Sequence, residues 1–177
     1  MRRIARTMLV LVMAWCTLAV AQSDVSGVLT GAIDGEARTW YTIEAPGMNT
    51  AEWLSPLAGM YTFSLQGHAA QRYVVAGTIT LDLSFFSMPS ACPCAVDMAS
   101  IMYFASDSMM QDFYETDDAE VTITEIEWLD DDVVLLSGSF EGTLYYRADF
   151  RDELDDENPL VAEGTFEVRA HRTNLDD

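Results

Sequence analysis

The sequence predicts an all-β protein, an antiparallel β-sandwich of about seven or eight strands, with a barrel as the alternative. Apolar and polar residues alternate through several separate runs, which is the pattern of strands with one buried face. A step of Gly, Thr and a large apolar residue recurs inside such runs, at Gly77, Gly142 and Gly164. No long helix is indicated anywhere after residue 21.

The sequence pattern predicts one hairpin and two further strands in the first half of the chain. Asp34-Gly35 is a turn signal between runs at 25–33 and 37–43, and it therefore predicts the hairpin. Residues 51–57 are predicted to form a short helical turn that ends at Pro56. Strands follow at 61–66 and 73–86, the second with four apolar residues on one face: Ile79, Leu81, Leu83 and Phe85.

The second half is centred on residues 133–150, where Phe140, Gly142 and Leu144 share a predicted buried face. Before it, residues 120–128 are predicted to form a strand with a bulge, because the inward face changes between Ile123 and Ile126. The other segments are predicted as a strand or helix at 99–105, a loop at 107–118, an acidic loop at 151–159, and a closing strand at 160–172.

Residues 1–21 have the pattern of a secretory signal peptide. Arg2, Arg3 and Arg6 precede an apolar run, and Ala19-Val20-Ala21 supplies small residues for cleavage. A spanning helix needs about 20 apolar residues, and this run is shorter. We therefore expect a periplasmic or secreted protein whose mature chain, residues 22–177, is a single β-sandwich domain with no membrane span.

The chain is strongly acidic, with 29 acidic residues, nine basic residues and a net charge of −20. Removal of residues 1–21 takes away three of the nine Arg and no acid, so six remain against 29 and the net charge becomes −23. Such a charge disfavours nucleic acid and anionic membranes as partners, because both repel it. Cations and basic partners are favoured, while the identity of a ligand or protein partner is left open.

Cys92-Pro93-Cys94 contains the only cysteines after residue 21. Because an exported chain meets an oxidising compartment, the spacing favours a local disulfide between Cys92 and Cys94. The ring is small, so the bond would stabilise the fold by only about 1.6 kcal/mol. The alternatives are a redox-active pair, a soft-metal site completed by Met88 and Met98, and disulfide pairing between molecules.

Acidic runs supply the weak candidates for a metal site, namely Asp152, Asp155, Asp156 and Glu157. Loops rich in carboxylates can bind Ca²⁺, which takes about six to eight oxygen ligands. The run matches no EF-hand pattern and contains no glycine, so the competing interpretation is a solvated acidic surface. No other cofactor is expected.

No catalytic residue is assigned, and a hydrolase is disfavoured. His68, in a predicted loop, and His171, on a polar strand face, are the only histidines, and no nucleophile motif accompanies them. The aromatic residues suit either a ligand site or the core: Trp40, Tyr41, Trp53, Tyr61, Trp128, Tyr145 and Tyr146. The sequence therefore favours an exported binding or structural module, with a calcium-dependent binding module as the alternative.

Overall fold

The computed structural model describes residues 23–173, which form an all-β fold of 12 strands without a helix. The predicted signal peptide lies outside the described residues. The strands are β1 (Asp24–Ile33), β2 (Glu36–Ala45), β3 (Met48–Asn49), β4 (Ala51–Leu54), β5 (Tyr61–Gly67), β6 (Ile79–Phe85), β7 (Cys94–Ala95), β8 (Met98–Phe104), β9 (Gln111–Thr116), β10 (Glu120–Trp128), β11 (Val133–Asp149) and β12 (Asp155–Arg172).

The strands belong to one continuous sheet in the order β3-β2-β1-β12-β4-β5-β6-β8-β9-β11-β10-β7, with β11 also paired to β12. Every pairing is antiparallel except that of β12 with β4. The all-β prediction is confirmed, although the sheet is mixed and forms no clear barrel. The strands outnumber the predicted seven or eight because β3, β4 and β7 are too short to show alternation and β9 lies in a predicted loop.

The long hairpin of β11 and β12 connects β9 and β10 on one side with β1 and β4 on the other. Their register runs from Val133 opposite His171 to Tyr146 opposite Asp155. On its other edge, β11 pairs first with β10 and then with β9. The edge of β12 that faces away from β11 pairs with β1 and then, at His171 and Arg172, with β4. Because both strands change partner along their length, the sheet folds over one apolar core.

Alternation places the predicted residues of β11 in that core. Phe140 and Leu144 are buried, and Gly142 lies between them on the same face, while Glu141 and Thr143 are exposed. The four apolar residues predicted to share one face of β6 are also all buried. A sheet that buries one face in this way stabilises itself mainly by removing apolar area from water, about 25 cal/mol per Å².

Two local predictions are confirmed at the level of the backbone. Asp34 and Gly35 connect β1 to β2 with φ angles of 49° and 78°, the positive values that a tight two-residue hairpin turn requires. The register of β10 against β11 shifts between Ile123 and Glu125, which is the predicted bulge.

Four assignments by sequence are wrong in part. The predicted helical turn at 51–57 contains β4, and the predicted loop at 107–118 contains β9, because pairing with neighbouring strands overrides weak local propensity. The strand predicted from Tyr73 begins only at Ile79, after Gly77 turns the chain with a φ of 77°. The predicted acidic loop at 151–159 ends early, since β12 begins at Asp155.

Candidate functional site

The outer face of β4, β5, β6 and β8 carries a row of polar side chains. Cross-strand register places Glu52 beside Ser64, Ser64 beside Asp82, and Asp82 beside Ser100. The inward neighbours of this row, such as Phe63 and Leu81, are buried, so alternation directs the polar residues away from the core.

A groove of 550 Å³ lies on this face. Its polar part combines carboxylates, hydroxyls and amides from the strands and from the β3–β4 connection, and its apolar part comes from Met and Phe side chains. The lining residues are Asn49, Thr50, Glu52, Ser64, Gln66, Thr80, Asp82, Met102, Phe104, Met109, Met110 and Phe150.

The apolar wall of the groove is held in place by packing and hydrogen bonds. The Phe150 ring stacks on the buried Phe113 with 4.4 Å between ring centroids, and Phe113 also packs on Phe104 at 6.2 Å. The Tyr73 hydroxyl donates a hydrogen bond to the Met109 sulfur at 3.3 Å. The wall is therefore formed by the fold before any ligand arrives.

A second cavity, of 330 Å³, continues the groove along the strands. Both cavities are lined by Glu52, Ser64 and Asp82, so together they form one elongated depression. No Arg, Lys or His lines either cavity among the described residues. Two carboxylates without a nearby cation accept hydrogen bonds and repel anions.

The two cysteines lie together in the structure, but as free thiols. Their Sγ atoms are 2.8 Å apart, whereas a disulfide bond measures about 2.0 Å, so the predicted bond is absent from this structure. Burial, reinforced by the hydrogen bond and charge of Cys92, raises the pKa of the Cys94 thiol to about 12. Such a thiol is protonated at neutral pH and therefore weakly nucleophilic.

The structure does not bring the candidate calcium ligands together. Asp155 and Asp156 belong to β12, where successive side chains point to opposite faces, and the Asp155 carboxylate accepts a hydrogen bond from the Glu157 backbone N–H at 2.9 Å. Asp152 precedes the strand. Between residues 23 and 173, no three His, Cys, Asp or Glu side chains are arranged to hold a metal ion.

His68 is fully buried, contrary to its predicted loop position. The backbone of Tyr41 pairs with that of His68, and the imidazole lies where its Nδ1–H donates to the Val74 carbonyl at 2.7 Å. The Nε2 atom is buried without a hydrogen-bond partner. Burial lowers the pKa of His68, and the Val74 bond only partly opposes this. The imidazole is therefore neutral and enclosed in the fold.

His171 lies on the half-buried part of β12, with its Nε2 3.3 Å from a Glu44 carboxylate oxygen. None of the hydrogen bonds of either histidine involves a serine hydroxyl among the described residues.

Comparison of the chain with protein-family models, with curated proteins and with solved structures gave no match. In the part of the chain that the structure describes, no helix is long and apolar enough to cross a membrane.

Sequence reasoning missed the groove. The alternation predicts Ser64 and Asp82 on the polar faces of their strands, but a polar strand face is also the normal solvent-exposed face of a sheet. The predicted helical turn at 51–57 includes Glu52, and the predicted loop at 107–118 includes Met109 and Met110. The available signal was the clustering of Met residues at 102, 109 and 110, which marks an adaptable apolar surface.

Proposed function

We propose that the protein is a binding module whose ligand lies in the groove across β4, β5, β6 and β8. The observation that carries this proposal is the size and lining of the groove: 550 Å³ falls within the roughly 300–1,000 Å³ of small-molecule sites. An apolar wall and a few convergent polar groups are also the usual composition of such sites.

The lining favours a ligand with an apolar side and hydrogen-bond donors, uncharged or positively charged. Glu52 and Asp82 offer carboxylate oxygens, and Asn49 and Gln66 offer amides. Met109 and Met110 can adjust their flexible side chains to an apolar surface. The net charge of −20 also attracts cations toward the groove and repels anions from it.

The test uses three probes with apolar tails of five or six carbons: hexyl glucoside, hexylammonium and hexanoate. Calorimetry at low salt should detect the first two and not hexanoate. Asp82→Asn should weaken hexylammonium binding about fivefold to tenfold, equivalent to about 1–1.4 kcal/mol, because one carboxylate is lost. The matched control is Glu163→Gln, which removes an exposed strand carboxylate outside both cavities.

Met110→Ala should weaken all binding probes, since it removes part of the apolar wall without changing charge. Hexanoate binding as tight as hexylammonium binding, or equal affinity in wild type and Asp82→Asn, would refute the assignment of the ligand to this groove.

We also propose that the protein is exported, and that Cys92 and Cys94 pair in the oxidising compartment. The support is the signal-peptide pattern of residues 1–21 and the contact of the two thiols. The mass of the protein purified from the periplasm or medium should correspond to a chain beginning at Gln22 that has lost two hydrogen atoms. A mass that retains residues 1–21 would contradict export with cleavage, and two alkylatable thiols would contradict the disulfide.

A further inference from the structure

Another cavity, of mixed polar and apolar character, opens beside Trp128. Its volume is 430 Å³. Its lining combines three aromatic rings, two carboxylates and one guanidinium: Trp53, Ser55, Tyr61, Trp128, Asp130, Asp131 and Arg172. Glu52 of strand β4 lines only the groove and its continuation, whereas its neighbour Trp53 lines both this pocket and the 330 Å³ continuation of the groove, so the two sites adjoin at Trp53. We refer to it as the Trp128 pocket.

The bulge in β10 places Trp128 in the pocket. Val121 and Ile123 face the core, and unbroken alternation would continue with Glu125 and Glu127. The extra residue at Ile123–Glu125 shifts the inward face by one, so that Trp128 points to the side on which Trp53 lies. Trp128 is 41% exposed, so part of its side chain faces solvent at the mouth of the pocket.

The three rings form a rigid cluster. Trp128 meets Trp53 edge-on, with 5.0 Å between centroids and 84° between planes, and Tyr61 lies 6.0 Å from Trp128. The Trp53 indole N–H donates to the Asp132 carbonyl at 3.1 Å, which fixes the ring. The buried Trp53 and the partly buried Tyr61 therefore support the Trp128 ring on the side away from solvent.

Charged groups of both signs surround this surface. The Arg172 guanidinium lies 5.4 Å from the centroid of the Trp53 ring, and 3.8 Å separates its Nη1 from an Asp132 carboxylate oxygen. Asp130 and Asp131 stand on the turn that follows Trp128. The pocket thus presents planar donors and planar acceptors beside an aromatic platform.

We propose that the Trp128 pocket binds an uncharged saccharide, with the C–H face of one sugar ring stacked on Trp128. Sugar hydroxyls are both donors and acceptors, and they match carboxylates and a guanidinium at once. A cationic ligand would be attracted by Asp130 and Asp131 but would compete with Arg172, which already lies over the Trp53 ring, so hexylammonium is the comparison in the test. An anionic ligand is repelled by Asp130 and Asp131. This site is additional to the groove and does not depend on it.

The test is calorimetric titration of the mature protein with linear hexasaccharides of glucose, xylose, mannose and galactose, with hexylammonium as the cationic comparison. At least one hexasaccharide should bind saturably. Trp128→Ala should weaken that binding tenfold or more, because the stacking platform is lost. Asp131→Asn, which changes one exposed carboxylate, should weaken it severalfold while leaving the fold intact.

Two controls separate this site from its surroundings. Leu129→Ala removes the neighbouring apolar side chain, 47% exposed and outside the pocket lining, and should leave saccharide affinity unchanged. Asp82→Asn should also leave it unchanged, which distinguishes the pocket from the groove. Any one of three results would overturn the proposal: none of the four hexasaccharides binds saturably, wild type and Trp128→Ala bind equally well, or the pocket prefers hexylammonium in a way that depends on Trp128.

Discussion

Gly164→Ala is expected to destabilise the protein strongly, whereas Gly142→Ala is expected to have little effect. Both glycines begin the recurring step of Gly, Thr and a large apolar residue, and both lie in the β11–β12 hairpin. The difference comes from what each new methyl group would contact. Because the two substitutions are chemically identical, they form a matched pair.

At Gly164 the new Cβ would meet backbone atoms that cannot move aside independently. It would contact the Thr30 carbonyl oxygen, lie 3.0 Å from the Gly31 Cα, and lie 2.8 Å from the Phe140 ring. Phe140 is the cross-strand partner of Gly164, and its ring occupies the space that the absent side chain leaves. Relieving this overlap requires β1 and β12 to separate locally.

At Gly142 the new Cβ would meet only side-chain atoms. The nearest are the Ile101 Cδ1 and the Thr116 Cγ2, both at 3.2 Å, followed by the Ala119 Cβ at 3.6 Å. Methyl groups at the ends of side chains can shift by the few tenths of an ångström that are needed.

Overpacking costs about 1–3 kcal/mol, and the backbone contacts place Gly164→Ala at about 3 kcal/mol. Replacing Gly with Ala also reduces the conformational entropy of the unfolded chain, which stabilises both variants by about 0.4–1 kcal/mol. We therefore expect a net loss of about 2–3 kcal/mol for Gly164→Ala and a change within about 0.5 kcal/mol for Gly142→Ala. The former corresponds to a fall in Tm of roughly 4–12 °C for a domain of this size.

Urea unfolding followed by near-ultraviolet circular dichroism measures the two free energies of unfolding, and equal m values confirm that the unfolded states are comparable. Adding Phe140→Leu to Gly164→Ala should not restore stability, because the contacts with Thr30 and Gly31 remain. Equal destabilisation by the two glycine substitutions, or full rescue by Phe140→Leu, would refute the reasoning from backbone contact.

Three further predictions concern the turn, the buried imidazole and the surface charge. Gly35→Ala should cost about 1–2 kcal/mol in urea unfolding, because its φ of 78° disfavours a side chain although nothing lies within 4 Å; an unchanged midpoint would contradict this. The pKa of His68, followed by NMR, should lie below its ordinary 6.5 because of burial. The stability contributed by its neutral form is then complete above about pH 6.5 and falls on acidification by at most about 1.4 kcal/mol per pH unit; a measured pKa of 6.5 or higher would exclude this. NaCl should raise Tm by screening acidic repulsion, and CaCl2 at equal ionic strength should add nothing, since Asp155 and Asp156 point apart; a calcium-specific rise would show that these acids do form a site.

Much of the fold could be predicted because its signals are local. Alternation identifies β6 and β11, and Asp34-Gly35 identifies the first hairpin, since these residues specify their own backbone geometry. The β10 bulge was visible for the same reason, as a change of inward face between Ile123 and Ile126. The acidic character of the chain, and with it the classes of partner that are repelled, follows from composition alone.

The tertiary structure alone decided the short strands, the partners of the long strands and the two candidate sites. β4 and β9 become strands because neighbouring edges offer hydrogen bonds, a contribution that no local pattern contains. Glu52, Ser64 and Asp82 are far apart in sequence and adjacent only through cross-strand register. Trp53, Trp128 and Arg172 likewise meet only where β4, β10 and β12 converge. A binding surface on a sheet combines residues from several strands, and the order and register of those strands are set by packing of the whole core.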